Sequence, residues 1–424
     1  MWFRLRPDIG YGDLAYGLLK CLAPGGRERT LRELERLWAG PARTFACLSV
    51  RTGFDLMWEA LALPAGSEVV VTALTIPDMW RILERHQLVP VPLDISPDSL
   101  APDADSLRRC LGPRTKAVVL THLFGARIPV EPLLPVLADR RILLIEDCAQ
   151  AFAGRDGYTG HARADVAMFS FGPIKTATAL GGALFRVEDA ELLRRMARIH
   201  AGLPAQRLRP FFGRLWKYLL LKLATGPRVW GVIARVCAAR GVSYDTAIRR
   251  LSRGFGGKND FFAQIRRQPC TPLLALLRRR LEHFDAGALQ RRRENGERLA
   301  RLLSGRVPLA GTAAGPSSFW LFPVLSERKP LVISRLRSSG FDASEHHSLD
   351  LVPVRRGVPR GGHDGAHRLL DALMFVPAGA ALPAREIARL AACLSAVVAE
   401  AGDSPGGETG RVTAGESPRA PGRA

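Results

Sequence analysis

A lysine between an acidic strand end and a pair of glycines is the part of this sequence best suited to chemistry. Lys175 closes the run Phe169–Lys175, and Gly181-Gly182 follows. The chain has 61 basic residues, of which seven are lysines. Lysine can lose its proton and become a nucleophilic amine, whereas arginine cannot. Lys175 is therefore a candidate Schiff-base residue, and the alternative is a solvated lysine of a surface loop.

Two side chains near this lysine in the sequence are suited to bind a ligand. Asp147 follows the apolar run Ile142–Glu146, and ligands bind at the carboxyl ends of parallel strands. A carboxylate there could keep a pyridinium nitrogen protonated, as pyridoxal phosphate (PLP) requires, or it could cap a following helix. Ser170 could bind a phosphate oxygen or a backbone group. Gly181-Gly182 could let the backbone approach a ligand or form a plain turn.

The elements that would position these residues alternate along the chain from about residue 44. Helical patterns such as Leu56–Leu63 and Met79–Arg85 lie between short apolar runs, which predicts a mostly parallel sheet covered on both faces. The runs near 169 and 184 are too close for an intervening helix, so this pair is predicted to be antiparallel. The apolar runs are Phe45–Val50, Glu68–Thr72, Val89–Leu93, Lys116–Thr121, Ile142–Glu146, Val166–Phe171 and Ala183–Val187.

The later part of the chain predicts a different organisation. Long helices at Leu273–Phe284 and Leu289–Leu303 precede a smaller α+β domain with elements at Trp320–Leu325, Lys329–Ser339, Leu373–Val376 and Pro383–Ala399. We predict an N-terminal helical segment (1–40), a PLP-binding large domain (41–202), a basic and apolar helical insertion (203–262), helices with a small C-terminal domain (263–400) and a disordered tail (401–424).

Composition limits the class of protein. The formal net charge is +21, and residues 201–300 hold 21 basic and 6 acidic residues, so 21 − 6 = +15 lies in that segment. Seven scattered cysteines without a C-x-x-C pair predict a reducing compartment and neither a disulfide framework nor a metal site. The first residues lack the apolar run of a signal peptide, and no long uncharged apolar stretch predicts a spanning helix. We expect a cytoplasmic protein.

The order of the motifs resembles the DegT/DnrJ/StrS family of PLP-dependent sugar aminotransferases. The resemblance is good over residues 40–200 and weak over 265–400. It implies PLP-dependent transferase fold type I, with a mostly parallel large-domain sheet and a smaller α+β C-terminal domain. The stretches that carry it are Glu146–Gln150, Ser170–Lys175, Gly181–Ala183, Ser49–Leu61, Gly66–Val71, Val91–Ile95, Thr115–Val118 and Thr121–Gly125.

The resemblance also implies roles for individual residues. Lys175 would bind PLP covalently and carry the proton between donor and acceptor carbons. Asp147 would pair with the pyridinium nitrogen, and Gln150 would lie beside the ring 3-hydroxyl. The family's dehydratases have histidine where this chain has Lys175, which favours transamination.

The phosphate-binding part departs from the family pattern. Ser170 would bind the phosphate, and the backbone near Arg51 and Thr52 would complete the cup. Ser49-Val50-Arg51 stands where the family has Ser-Gly-Thr, so a charged donor replaces a hydroxyl.

Two further departures concern the ring and the neighbouring subunit. Ile76 occupies the position of the stacking aromatic, with Trp80 as a nearby substitute. The asparagine that a neighbouring subunit contributes in the family has no match near Gln264–Arg267, and Leu180 replaces a glutamate.

The function predicted from these residues is amino transfer, from glutamate, to a keto sugar that is nucleotide-linked, by a homodimer. The alternatives are other PLP chemistry on the same fold and a non-catalytic, membrane-associated homologue. The sequence does not identify the sugar, the carbon, the stereochemistry or the carrier.

The basic insertion supports two hypotheses. Residues 205–260 could place an interfacial helix on an anionic membrane surface, or form a helical hairpin packed on the dimer with its arginines in water. No recognition motif predicts nucleic-acid binding.

Overall fold

The computed structural model describes residues 1–4, 6–38, 40, 43–138, 141–224, 261–346, 348–354 and 361–402. Most of the predicted insertion, residues 225–260, lies outside the described residues. The predicted disordered tail is also outside them from residue 403 onward.

The large domain is built on a seven-stranded sheet. The strand order is β1-β8-β7-β6-β5-β2-β4, and β8 pairs antiparallel with both β1 and β7, while the other pairs are parallel. The predicted mostly parallel sheet and its antiparallel pair are therefore confirmed. The strands are β1 (Thr44–Cys47), β2 (Glu68–Thr72), β4 (Val89–Leu93), β5 (Thr115–Thr121), β6 (Leu143–Asp147), β7 (Val166–Ser170) and β8 (Ala183–Val187).

The first predicted apolar run is only partly a strand. Phe45–Val50 was predicted as one run, but β1 ends at Cys47 and a helix begins at Val50. Ser49 causes this change, because its hydroxyl accepts a hydrogen bond from the Thr52 N–H at 3.1 Å and caps the helix.

Helices cover both faces of the sheet, as alternating strands and helices require. One face packs against α3 (Val50–Leu61), α4 (Pro77–Arg85) and α7 (Ala190–Ala201). The other face packs against α5 (Ala104–Cys110) and α6 (Leu134–Leu137) near β4 and β5. Near β7 and β8 that second face packs against α1 (Tyr11–Leu22), α2 (Arg27–Leu37), α8 (Leu208–Ala224) and a helix at Thr271–Glu282, α10.

The smaller domain is α+β. Its three-stranded antiparallel sheet has the order β10-β12-β9, with β9 (Phe322–Leu325), β10 (Ser344–Glu345) and β12 (Leu373–Val376). A short pair, β3 (Leu74–Thr75) with β11 (Asp350–Leu351), joins it to the large domain. The remaining helices are α9 (Phe261–Ile265), α11 (Ala286–Leu303), α12 (Lys329–Ser338), α13 (Asp364–Ala372) and α14 (Ala384–Ala401).

Candidate active site

Three polar side chains project from neighbouring strand ends onto one face of the sheet. Thr121 ends β5 and pairs with Asp147 at the end of β6, and Asp147 pairs with Met168 of β7. Paired residues of parallel strands share a face, and residues two apart in a strand do so as well. Thr121, Asp147 and Ser170 therefore point to the face that α3 and α4 cover.

The loop after β7 holds Lys175 beside these strand ends. The Lys175 N–H donates to the Gly172 carbonyl at 3.0 Å, and the Phe171 carbonyl accepts from the N–H groups of Ala179 and Gly181 at 3.1 and 3.0 Å. These backbone bonds fold the loop back to the start of β8. The position of Lys175 is thus set by backbone geometry.

The glycine pair lies against helices. A Cβ at Gly181 would lie 3.3 Å from a Leu273 methyl and 3.4 Å from the Arg214 guanidinium, and both glycines have positive φ. Of the two alternatives for Gly181-Gly182, the structure favours the turn over an approach to a ligand.

The Lys175 ammonium lies in an unusual environment. Its Nζ is 4.0 Å from the centroid of the Trp320 ring, and the Trp320 indole N–H donates to the Ile174 carbonyl at 2.9 Å. The side chain is half-buried, and loss of water lowers its pKa to about 8, against the raising effect of Asp147 and with a further lowering by Arg51. Lys175, Asp147 and Arg51 are therefore close enough for their charges to interact.

Asp147 is buried at the same place. Its Oδ1 accepts from the Ala149 N–H at 3.0 Å, and a turn follows instead of a helix, so it does not act as a helix cap. Burial raises the pKa of Asp147, while that hydrogen bond and the charge of Lys175 oppose the rise. A cationic ligand beside this carboxylate would favour its charged form.

The start of α3 lies next to this group. The Arg51 Nε donates to Asp78 Oδ2 at 2.5 Å, which holds the guanidinium near the helix N-terminus. Thr52 is fully buried, and its hydroxyl donates to the Ile265 carbonyl at 2.7 Å. The Thr52 hydroxyl is therefore occupied by a hydrogen bond within the protein. The groups left to bind an anion are the backbone N–H groups in the first turn of α3.

The other predicted positions have distinct surroundings. Gln150 Oε1 accepts from the Phe124 N–H at 2.8 Å, which fixes its amide. Ile76 precedes α4 as its N-cap and packs against the core beneath α3. Trp80 is buried in that core, and its role as a substitute for the stacking aromatic stays a prediction. The aromatic ring beside Lys175 is Trp320.

A hydrogen-bonded network lies on the opposite face of the sheet. His122 Nδ1 accepts from the Ile128 N–H at 2.9 Å, so its Nε2 carries the proton and donates to Glu146 at 3.0 Å. Glu146 also accepts from the Tyr158 hydroxyl. The Cys148 sulfur lies within 4.8 Å of a ligand atom of His122 and of Glu146, a grouping that could hold a metal ion. Both His122 nitrogens already form hydrogen bonds, which favours a structural role for this group over a metal site.

Sequence reasoning missed three residues of this site. Trp320 lies far from Lys175 in the sequence, and no local pattern connects them. Asp78 was missed because only the fold brings α4 beside Arg51. Thr121 was quoted within a motif, yet its orientation toward Asp147 depends on strand register.

The Thr121 hydroxyl indicates that the site suits a polar ligand. Its hydroxyl is buried and has no hydrogen-bond partner among the described residues. An unpaired buried hydroxyl is costly, and a bound ligand would satisfy it. Gly172 contributes space as well, because a Cβ there would lie 3.5 Å from Ser170 Oγ and 4.0 Å from Lys175 Cγ. The residues present therefore fit a flat, polar, phosphorylated ligand such as PLP.

Comparison with known proteins finds a family model that part of the chain resembles. The family model described as DegT/DnrJ/EryC1/StrS aminotransferase matches residues 29–214. The match covers 186 of the 424 residues, a little under half of the chain. The resemblance predicted from the motifs around Lys175 is confirmed for this part of the chain.

Two curated relatives match part of the chain. The L-glutamine:2-deoxy-scyllo-inosose aminotransferase of Streptomyces kanamyceticus is 32% identical over 180 residues, which are 42% of this chain and 42% of that protein. The dTDP-3-amino-3,4,6-trideoxy-alpha-D-glucose transaminase of Micromonospora megalomicea subsp. nigra is 35% identical over 159 residues, 36% of this chain and 42% of the relative. The chain thus spans less than half the length of these relatives.

A solved structure extends the similarity of fold to nearly the whole chain. Spr1654 of Streptococcus pneumoniae in its PLP form matches with a TM-score of 0.68 at 17% identity, over 94% of this chain and 98% of that one. The predicted fold type I, with its mostly parallel large-domain sheet and smaller α+β domain, is confirmed.

Proposed function

We propose that this protein is a PLP-dependent aminotransferase that moves an amino group from glutamate to a nucleotide-linked keto sugar. The observation that carries the proposal is Lys175, a half-buried lysine with a pKa of about 8 whose charge interacts with that of Asp147. PLP supplies an electron sink when bound, and the protein supplies position and electrostatics.

Lys175 serves as the amine that holds the cofactor and as the group that moves protons. With a pKa of about 8, about a tenth of its Nζ is uncharged at pH 7, far more than for an ordinary lysine. The uncharged amine is the nucleophile that a carbonyl carbon requires. Once released from the cofactor, the same Nζ carries a proton between the donor and acceptor carbons.

Asp147, Thr121 and Gln150 hold the ring. The buried Asp147 carboxylate pairs with the pyridinium nitrogen and keeps it protonated. The unpaired Thr121 hydroxyl, on the same face of the sheet, gains a polar partner. Gln150, fixed through the Phe124 N–H, presents its amide to the ring 3-hydroxyl.

Ser170 and the N-terminus of α3 would hold the cofactor phosphate. The N–H groups of the first helical turn and the helix dipole favour an anion there. Arg51 adds a charged donor, and Asp78 orients it. This arrangement replaces the hydroxyl of the family's usual Ser-Gly-Thr cup.

The names of the curated relatives support amino transfer as the reaction, while glutamate as donor rests on the family resemblance of the motifs. The two curated relatives have names that describe amino transfer from L-glutamine and to a dTDP-linked sugar. Glutamate as donor and a nucleotide-linked keto sugar as acceptor are the substrates that we propose.

The assembly and location are also part of the proposal. We infer a cytoplasmic homodimer with its active sites at the subunit boundary. Light scattering of the purified protein tests this, and a monomer at working concentration would contradict it.

The deciding experiment is spectroscopic. Purified protein mixed with PLP should develop the visible absorption of lysine-bound PLP, and borohydride should fix PLP to the peptide that contains Lys175. Lys175→Ala should abolish both signals. Lys329→Ala, on α12, is the matched control and should retain them.

Addition of glutamate separates the alternatives. Conversion of the bound cofactor to its pyridoxamine form, with release of 2-oxoglutarate, supports transamination. PLP binding without this conversion favours other PLP chemistry, and absence of PLP binding in the wild type supports the non-catalytic alternative.

A further inference from the structure

Exposed apolar side chains are concentrated on two helices. Ten large apolar side chains are exposed among the described residues, and seven of them lie on α1 and α8. We call these seven the α1/α8 apolar face: Tyr11, Leu19, Leu22, Leu208, Trp216, Leu220 and Leu223. Large apolar patches on a soluble domain indicate an interaction site.

The two helices form one layer with a buried and an exposed side. Lys222 Nζ is 5.2 Å from the Tyr11 ring centroid, and a Cβ at Gly17 would lie 2.8 Å from a Leu215 methyl, so the helices run antiparallel. Leu14 and Leu215 are fully buried on the inner side. Leu22 and Leu220, at 77% and 59% exposure, lie on the outer side and take no part in the core.

The charged side chains of the two helices beside this face are mostly positive, although Asp8, just before α1, interacts with Lys222. Lys20, Lys217 and Lys222 lie on the two helices, and α8 contains no acidic residue. The acid of α1, Asp13, is buried in ion pairs with Arg279 and Arg280. The sequence of residues 225–260, which follows α8, adds seven basic and two acidic residues.

We propose that the α1/α8 apolar face docks on the surface of an anionic phospholipid bilayer. Leucines enter the boundary between headgroups and acyl chains, Trp216 lies at the polar interface, and the lysines reach the lipid phosphates. Among the described helices none is long and apolar enough to span a membrane, so the contact is peripheral.

A second copy of the chain fits this face less well. A symmetric dimer would place the same lysines of both copies near one another. The two helices offer no exposed acid to pair with them. Anionic lipid provides the negative charge that another copy lacks.

The test is co-sedimentation of the full-length protein with phosphatidylcholine vesicles that contain or lack phosphatidylglycerol. The wild type should bind the anionic vesicles preferentially. Leu220→Glu/Leu223→Glu should weaken binding by at least about tenfold, because it places charges in the apolar contact. Lys217→Gln/Lys222→Gln should weaken it by about tenfold or more on anionic vesicles alone.

Matched controls make the outcome decisive. Leu302→Glu/Leu331→Glu changes two leucines on α11 and α12, exposed at 39% and 37%, and should bind as the wild type does. Equal binding by wild type and Leu220→Glu/Leu223→Glu, at equal melting temperature, overturns the proposal. A wild-type dimer that Leu220→Glu/Leu223→Glu dissociates in the absence of vesicles also overturns it, in favour of self-association.

Discussion

The pKa of Lys175 results from influences of different size and sign. Loss of water lowers it most, Arg51 lowers it further, and Asp147 raises it. The Trp320 ring favours the ammonium, but a cation–π contact is worth about 0.5–1 kcal/mol, less than one pKa unit. Burial therefore dominates, and Trp320 contributes more by excluding water than by attracting charge.

Trp320→Ala should accordingly raise the pKa of Lys175. We expect an upward change of about one unit, because water gains access to Nζ and outweighs the lost cation–π contact. The measurement is the pH dependence of the rate at which cofactor-free protein combines with PLP. Trp320→Phe, which keeps an apolar ring there, is the control, and an apparent pKa that falls in Trp320→Ala would contradict this account.

At the residue scale, the sequence predicts the site residues that lie in local motifs better than those that only the fold brings close. Asp147 and Ser170 lie at strand ends, which brings them together, while the folded loop after β7 places Lys175 beside them. Trp320 was found only in the structure because its contact with Lys175 depends on how the small domain docks. The Thr121 hydroxyl became a candidate only when its register with Asp147 was known.

At the scale of elements, α3 and α4 together form the corner that we propose as the phosphate site. Ser49 caps α3, and Asp78 in the first turn of α4 holds Arg51. Two helix N-termini thus meet through one ion pair. The sequence predicted α4 near its observed bounds, but it placed the start of the α3 pattern at Leu56, six residues after the observed start at Val50. It could not predict that Asp78 would reach Arg51.

Arg51→Met should raise the Kd for PLP by about ten- to a hundredfold, since a charge-assisted hydrogen bond is worth about 1.5–3 kcal/mol. Fluorescence titration with PLP measures this. Asp78→Asn should weaken binding less, because the guanidinium remains while its orientation is relaxed. Wild-type affinity in Arg51→Met would show that the guanidinium does not contact the phosphate.

His200 near the end of α7 makes stability depend on pH. It is buried against Phe45, with ring centroids 5.2 Å apart, and burial lowers its pKa to about 4. In the unfolded chain histidine titrates near about 6.5, so the unfolded state binds more protons between these values. The stability that His200 contributes is present above about pH 6.5 and is lost as the pH falls toward 4.

The expected loss of unfolding free energy from this group is about 2–3 kcal/mol between pH 7 and pH 4. Urea unfolding at several pH values measures it. His200→Phe keeps a ring beside Phe45 and should flatten the dependence by that amount. An unchanged slope in this variant would assign the acid sensitivity to other groups.

At the scale of the whole molecule, part of the positive charge of residues 201–300 is neutralised inside the protein. The segment 201–300 carries +15, yet several of its arginines are paired internally. Arg266 bonds Asp55 and Glu59, and Arg280 bonds Asp13. Composition could not distinguish arginines that join helices from cations that face a partner, because the acids that pair with them lie far away in the sequence.

One carboxylate joins the two domains. Asp94, directly after β4 of the large domain, accepts from the N–H groups of Gly365 and Ala366 at the start of α13, each at 2.8 Å. Gly365 allows this approach, because a Cβ there would lie 2.2 Å from the Ile95 carbonyl oxygen. A helix N-terminus in one domain is thus capped by an acid from the other.

Asp94→Ala should lower the unfolding free energy by about 1–2 kcal/mol through the lost cap, and Gly365→Ala by about 1–3 kcal/mol through the clash with Ile95. Because both variants break the same domain contact, the double variant should lose less than the sum. Gly362→Ala, where an added Cβ meets nothing within 4 Å, is the neutral control. Strict additivity in thermal and urea unfolding would mean that Asp94 and Gly365 act independently and that this contact does not couple the domains.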